Sequence, residues 1–115
     1  MHELSLADEI LRMVEAAALR DQFRRVATLR LEAGALAGVE VSALRFALEA
    51  IIPGTCLEDA TIDIDQPPGR GWCAQCAAEV TLETRTDACP QCGAYPVKPT
   101  SGSALRVLDL LVMND

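Results

Sequence analysis

The apolar residues at the start of the chain recur every three or four positions, which is the spacing of an amphipathic helix. This stripe contains Leu4, Ala7, Leu11, Val14 and Ala18, and Ile10 and Ala17 widen it. The pattern predicts a helix from about Ser5 to Arg20. Ser5 is the expected N-cap, and Asp8 lies in the acidic first turn that a helix dipole favours.

The apolar spacing changes to two at Arg25 and returns to helical spacing after a turn that begins at Gly34. Alternation of apolar and polar residues from Arg25 to Gly34 predicts a half-buried strand. A second helix is predicted over about Ser42–Ile52, and Pro53-Gly54 ends it. The apolar residues of this helix are Val41, Leu44, Leu48 and Ile51.

The rest of the chain predicts two strands, one before and one after a cysteine-rich segment. Ile62 and Ile64 alternate with aspartates in a short strand, which the cluster Gln66-Pro-Pro-Gly69 ends. The stretch Leu105–Met113 is mostly apolar and has the length of a buried strand. Together these elements predict an α+β fold, with two helices packed on a small three-stranded mixed sheet and an inserted four-cysteine, zinc-ribbon-like module. The strands before and after the second helix should be parallel, with a right-handed crossover.

Charge and composition narrow the class of protein. Ten basic and seventeen acidic residues give a net charge of −7, which argues against nucleic-acid binding and favours cations or basic protein surfaces as partners. No apolar run approaches the roughly 20 residues that span a bilayer, and the N-terminus lacks the order of a signal peptide. We therefore expect a cytoplasmic protein without membrane insertion. In such a compartment five cysteines favour metal ligands or redox groups over disulfides.

Four of the cysteines form two Cys-x-x-Cys pairs, Cys73 with Cys76 and Cys89 with Cys92, with twelve residues between them. Each pair can aim two thiolates at one point, and four thiolates close a tetrahedral shell around Zn(II). We expect a structural zinc site, which leaves no open position for catalysis. Two alternatives remain open: thioredoxin-type redox pairs and an iron–sulfur centre. The fifth cysteine, Cys56, is expected to be a small buried apolar residue.

The single histidine of the chain is residue 2. The α-amine of Met1, the amide nitrogen of residue 2 and the imidazole of His2 can chelate one ion in consecutive rings. A nearly planar set of nitrogen donors suits Ni(II) and Cu(II). His2 is too bulky for routine removal of the initiator methionine, so we expect Met1 to remain. The simpler alternative is a frayed terminal histidine without a role.

Four features of the chain occur together: Met1-His2-Glu3 before a helix, Leu31-Glu-Ala-Gly34, Val39-Glu-Val-Ser42 and the two cysteine pairs. In this combination the chain resembles the HypA-type (HypA/HybF) hydrogenase maturation factors. The resemblance covers essentially the whole chain. It implies a nickel metallochaperone, and not an enzyme, that helps to insert nickel into the NiFe hydrogenase large subunit together with a maturation GTPase of the HypB type.

The resemblance also implies ligands and domains. The imidazole and amide of His2 would bind Ni(II) transiently, with Met1, Glu3 and Glu40 as further candidate ligands. The structural Zn(II) ligands would be Cys73, Cys76, Cys89 and Cys92. A nickel-binding α/β domain is then expected at 1–66 plus 103–115, and a zinc-binding domain at 69–99. Some family members carry a histidine just beyond a cysteine pair, where this chain has Ala77 and Gly93, so no second histidine can complete the nickel shell.

Two other functions fit the same residues. One is a zinc-ribbon protein-interaction module without a nickel role, in which His2 is incidental. The other is a thiol-disulfide oxidoreductase that acts through its Cys-x-x-Cys pairs. We expect a monomer or a weak homodimer. Zinc and nickel analysis of the untagged protein separates these functions, because only the metallochaperone binds both metals.

Overall fold

The structure is a computed structural model that describes residues 2–113 of the 115-residue chain. Its helices are α1 (His2–Asp21) and α2 (Val41–Ile51). Its strands are β1 (Val26–Ala33), β2 (Thr61–Asp65), β3 (Gly69–Cys73), β4 (Ala78–Leu82), β5 (Lys98–Ser101) and β6 (Leu105–Val112). They form two three-stranded sheets in the orders β2-β1-β6 and β4-β3-β5. The predicted fold class is confirmed, because two helices accompany a small three-stranded sheet and a cysteine-bearing module precedes the last strand.

The described residues divide into two compact units. The first unit contains residues 2–31, 40–64 and 107–113, and the second contains 32–39 and 65–106. The first unit includes both helices, and the second includes all four paired cysteines. The predicted division into a nickel-binding and a zinc-binding domain stays a prediction.

The core of the first unit is built from aliphatic side chains on the helices and on β1. Helix α1 buries Ala7, Ile10, Leu11 and Val14, and α2 buries Leu44, Ala47 and Leu48. Strand β1 contributes Val26, Leu29 and Leu31, each with an exposed fraction of 0%. The helices also pack against each other. Each buried large aliphatic side chain stabilises this unit by about 1.5–3 kcal/mol.

Strand β6 runs antiparallel to β1. Near one end of the pair the Met113 amide donates to the Arg25 carbonyl at 3.0 Å, and at the other end the Gly34 amide donates to the Ala104 carbonyl at 2.9 Å. The lower-numbered end of β1 therefore meets the higher-numbered end of β6. Neither described helix is both long and apolar enough to cross a membrane.

Helix α1 begins three residues earlier than predicted. It starts at His2, and Ser5 lies exposed within its first turns, so the interpretation of Ser5 as the N-cap is wrong. Helix α2 begins at Val41 and not at Ser42, and the residue that caps it is Glu40. Both corrections concern helix starts that carry predicted nickel ligands, His2 and Glu3 in α1 and Glu40 at the cap of α2.

The second unit contains two strands, β3 and β5, that the sequence did not predict. The sequence predicts that the cluster Gln66-Pro-Pro-Gly69 ends a strand, yet β3 begins at Gly69 and pairs antiparallel with both β4 and β5. A Cβ at Gly69 would overlap the Leu36 side chain, and one at Gly71 would overlap Leu82. The glycines therefore provide room for packing within a strand, whereas composition alone favoured a loop.

Candidate metal centre

The first cysteine pair lies on the turn that joins β3 to β4. Cys73 is the last residue of β3, and Ala78, the first residue of β4, is its antiparallel partner. Within the turn the Cys76 amide donates to Cys73 Sγ, with 3.4 Å between N and S. Ala77 closes the turn with a positive φ of 51°. The strand pair thus fixes the backbone of both cysteines of this pair.

The second cysteine pair lies on a loop that folds back on itself. The Gln91 amide donates to Cys89 Sγ at 3.4 Å, and the Gly93 amide donates to the Cys89 carbonyl at 2.9 Å. Gly93 has a φ of 76°, in the left-handed region that glycine adopts without steric cost. Both pairs therefore form the same kind of turn, in which a backbone N–H points at the first sulfur.

The two turns bring four sulfur atoms to one point. All four Sγ atoms lie within 4.8 Å of one another, and no cysteine is in a disulfide. The closest contacts join one pair to the other: Cys73 Sγ lies 3.6 Å from Cys92 Sγ, and Cys76 Sγ lies 3.9 Å from Cys89 Sγ. A tetrahedral shell with Zn–S bonds of about 2.3 Å requires S···S separations of about 3.8 Å. The quartet therefore fits a single zinc ion.

Burial holds the quartet in place. Cys73 and Cys89 are 1% and 3% exposed and belong to the apolar cluster of the second unit. The other members of this cluster are Leu36, Val80, Leu82 and Val97, with Cys76 and Ala94 packed against it. Cys92 is exposed. The first cysteine of each pair is thus part of the core, so the site and the core of this unit form together.

Hydrogen bonds around the quartet shift the pKa values of two thiols in opposite directions. Donation from the backbone amides of Cys92 and Gln91 lowers the pKa of Cys89 to about 7. The hydrogen bond with Cys92, together with burial, raises the pKa of Cys76 to about 12. The lowered pKa of Cys89 favours its thiolate, and metal binding must displace the protons that remain on the quartet.

The positions of the cysteines argue against thioredoxin-type redox pairs and against a cluster of several iron atoms. Neither pair opens a helix, because Cys73 ends a strand and Cys89 lies in a loop, so the thioredoxin-type arrangement of a pair at a helix N-terminus is absent from the described residues. Sulfur separations of at most 4.8 Å leave room for one ion and not for a cluster of several iron atoms.

The other predicted ligands lie at the starts of the two helices. His2 is the first residue of α1 and is exposed, and Met1 lies outside the described residues. Glu3 Oε2 accepts a hydrogen bond from the Glu40 amide at 3.1 Å, which lowers the pKa of Glu3. Glu40 Oε1 in turn accepts from the Ser42 amide at 3.2 Å and from Ser42 Oγ at 2.7 Å. The beginnings of α1 and α2 are therefore joined by carboxylates.

The structure brings together only one full set of metal ligands. Within residues 2–113, the cysteine quartet is the one cluster of three or more histidine, cysteine, aspartate or glutamate side chains that lie close enough together to hold an ion. The structure links Glu3 to Glu40, but it does not assemble them with His2 into a cluster of this kind.

Comparison with known proteins identifies the family. The family model described as "Hydrogenase/urease nickel incorporation, metallochaperone, hypA" matches residues 1–112. The chain belongs to the HypA family. The hydrogenase maturation factor HypA of Cupriavidus necator is 60% identical to it over 112 residues, which are 97% of this chain and 94% of that protein. The corresponding factor of Polaromonas naphthalenivorans is 53% identical over 115 residues, the full length of both chains.

Solved structures show the same fold. The solution structure of the Ni metallochaperone HypA from Helicobacter pylori matches with a TM-score of 0.67 at 20% identity and covers 98% of both chains. A second solution structure of a HypA protein matches with a TM-score of 0.68 at 22% identity. The resemblance to the HypA family seen in the sequence is thus confirmed. The chain is a member of a nickel-incorporation metallochaperone family and has a four-cysteine site that fits zinc.

Sequence reasoning missed one residue near the predicted nickel ligands of this HypA family member. Ser42 was expected to open the second helix, yet it is the donor that holds the Glu40 carboxylate against the start of α2. The available signal was an acidic residue two positions before a serine at a predicted helix start.

Cys56 is half-buried, and burial together with the nearby Glu15 carboxylate raises its pKa.

Proposed function

We propose that this chain is a nickel metallochaperone that holds Ni(II) at its N-terminus and helps to insert it into the NiFe hydrogenase large subunit. The observation that carries the proposal is the position of the only histidine, exposed in the first turn of α1 beside Glu3. Membership of a family described by nickel incorporation supports it.

The first turn of a helix suits this task. The first four N–H groups of an α-helix have no carbonyl partner within the helix, so the amide of residue 2 is not committed to a backbone hydrogen bond there. A nickel ion can replace its proton and bind the imidazole of His2, with the Met1 amine and the carboxylates of Glu3 and Glu40 as further candidates. All of these donors must be deprotonated to bind, so nickel affinity falls as the pH decreases.

The cysteine quartet is proposed to hold a resident zinc ion. Cys73, Cys76, Cys89 and Cys92 supply four thiolates, which is the donor set of a closed structural zinc site. Bound zinc would fix the two turns to each other and would leave no open position for a substrate. No catalytic residue is assigned, since the function is transfer of a metal ion and not a reaction.

The proposed partners are a maturation GTPase of the HypB type and the hydrogenase large subunit, and the proposed location is the cytoplasm. The names of the relatives connect the family to hydrogenase maturation. The net charge of −7 favours basic surfaces on these partners and increases the rate of encounter with them.

Removal of the single imidazole tests the proposal. We expect His2→Ala to abolish stoichiometric Ni(II) binding, because no other histidine is present in the chain. Isothermal titration of the untagged, zinc-loaded protein measures this, since an N-terminal tag would block the Met1 amine. The zinc content and the far-UV circular dichroism should stay at wild-type values. Wild-type nickel affinity in His2→Ala would disprove the N-terminal site.

A further inference from the structure

The outer face of α2 carries an unusually exposed aromatic residue. Phe46 is 73% exposed, although the helix buries its opposite side through Leu44 and Leu48. The residues one turn away from Phe46 on this side are small or polar. We call Ser42, Phe46, Glu49 and Ala50, all of them exposed, the outer face of α2. A large aromatic residue among such neighbours has the features of an anchor that enters a pocket on a partner.

This face is continuous with the predicted nickel ligands. Ser42 donates to the Glu40 carboxylate at 2.7 Å, and the Glu40 amide donates to the Glu3 carboxylate at 3.1 Å. Phe46 follows Ser42 by four residues, which on an α-helix is a rise of about 6 Å on the same side. A protein bound to the outer face of α2 would therefore contact the segment that begins with His2.

The charges of the first unit and of Glu49 favour a basic partner. Within the described residues, the first unit contains eleven acidic and six basic side chains. The only basic residue of α2 is Arg45, and it donates to the Ile62 carbonyl at 2.8 Å. Glu49 is exposed and forms no ion pair with any residue of 2–113. An exposed aromatic residue beside an exposed carboxylate, on a unit with an excess of acidic residues, is complementary to a basic surface that contains an apolar pocket.

We propose that the outer face of α2 docks the protein that receives nickel, through a basic surface on that protein with a pocket for Phe46. This proposal rests on the proposed function, because it gives the recipient a place beside the nickel-binding terminus. Phe46 supplies the anchor, and Glu49 increases the rate of encounter. Transfer then needs only a short movement of the ion between adjoining surfaces.

The test measures binding of the purified hydrogenase large subunit precursor to the immobilised, nickel- and zinc-loaded chain. We expect Phe46→Ala to weaken binding at least tenfold, mainly through faster dissociation, and Phe46→Tyr to keep most of the affinity. Glu49→Gln should lower the association rate and make it less sensitive to salt. Leu19→Ala is the matched control, because Leu19 is 83% exposed near the other end of α1 and should have no effect.

The outcomes separate this proposal from the proposed function. Wild-type affinity of Phe46→Ala for the large subunit would overturn the docking proposal, as would a loss of affinity for the maturation GTPase alone. A larger effect of Leu19→Ala than of Phe46→Ala would also overturn it. Nickel stoichiometry is measured for each variant. Full nickel binding with an unaffected recipient complex refutes only the docking site, whereas a wild-type chain that binds no nickel refutes the proposed function and the docking site with it.

Discussion

Two glycines of one short segment serve different purposes. A Cβ on Gly34 would overlap the backbone carbonyl group of Gly102, whereas a Cβ on Gly38 would meet nothing within 4 Å. Gly38 instead adopts a φ of 72°. The sequence predicted a turn that begins at Gly34, but it could not distinguish the two glycines, because the neighbour of Gly34 lies far along the chain.

This difference predicts unequal costs of substitution. We expect Gly34→Ala to lower the free energy of unfolding of the zinc-loaded protein by about 3 kcal/mol, since backbone must move to relieve the overlap. Gly38→Ala should cost only about 1 kcal/mol, the penalty of a left-handed backbone for alanine. Urea unfolding measures both values. Equal losses in the two variants would contradict the close approach of Gly34 and Gly102.

The identity of the candidate metal ligands was the most predictable part of the candidate sites. The cysteine quartet follows from residue type and spacing, and the structure brings its four sulfurs together. The choice of His2 follows from its position next to a terminal amine. The link between Glu3 and Glu40 could not be derived from spacing, because it joins two helices through one hydrogen bond. Only the resemblance to a family indicated those two residues.

At the scale of elements, periodicity predicted both helices and the strands β1, β2 and β6. Periodicity predicted the ends of the elements less accurately than their type, because the ends depend on contacts with other parts of the chain. Helix α1 starts at His2, where Glu3 accepts a hydrogen bond from the Glu40 amide. Strand β3 has the composition of a loop and is a strand because β4 and β5 pair with both of its edges. The missed features are thus those that partners elsewhere in the chain determine.

The cap of α2 provides a test at this scale. Glu40 accepts from the Ser42 amide, so Glu40→Ala should lower the free energy of unfolding by about 1 kcal/mol. Glu40→Asn should be nearly neutral, because asparagine is a good N-cap residue without a charge. Urea unfolding compares the variants, and nickel titration of Glu40→Asn shows whether the carboxylate also contributes to metal binding. A Glu40→Asn variant as unstable as Glu40→Ala would contradict the capping role.

On the scale of the whole molecule, the two units differ in what they need for stability. The first has a core of aliphatic side chains from two helices and β1, and the cluster of the second includes two of the four cysteines. Four thiolates and one zinc ion would also lower the net charge from −7 to about −9. Composition predicted an acidic protein, but it could not show that the core of one unit shares residues with the four-cysteine site.

Loss of zinc should therefore affect one unit. We expect Cys73→Ala, or treatment of the wild type with a strong chelator, to release zinc and destabilise residues 70–99. The helical circular dichroism should persist, since both helices lie in the other unit. The only tryptophan, Trp72, adjoins Cys73 in β3, so its fluorescence emission reports the change. Retention of one zinc per chain with wild-type affinity in Cys73→Ala would disprove the quartet assignment.

The most direct test of the N-terminal nickel site is the NMR signal of the single imidazole during nickel addition. With zinc already bound, we expect one equivalent of Ni(II) to shift or broaden the His2 ring resonances to completion, and acidification to restore them, because protons compete with the metal for its ligands. An imidazole signal that stays unchanged while nickel binds, or while no nickel binds, would contradict the claim that His2 holds the metal.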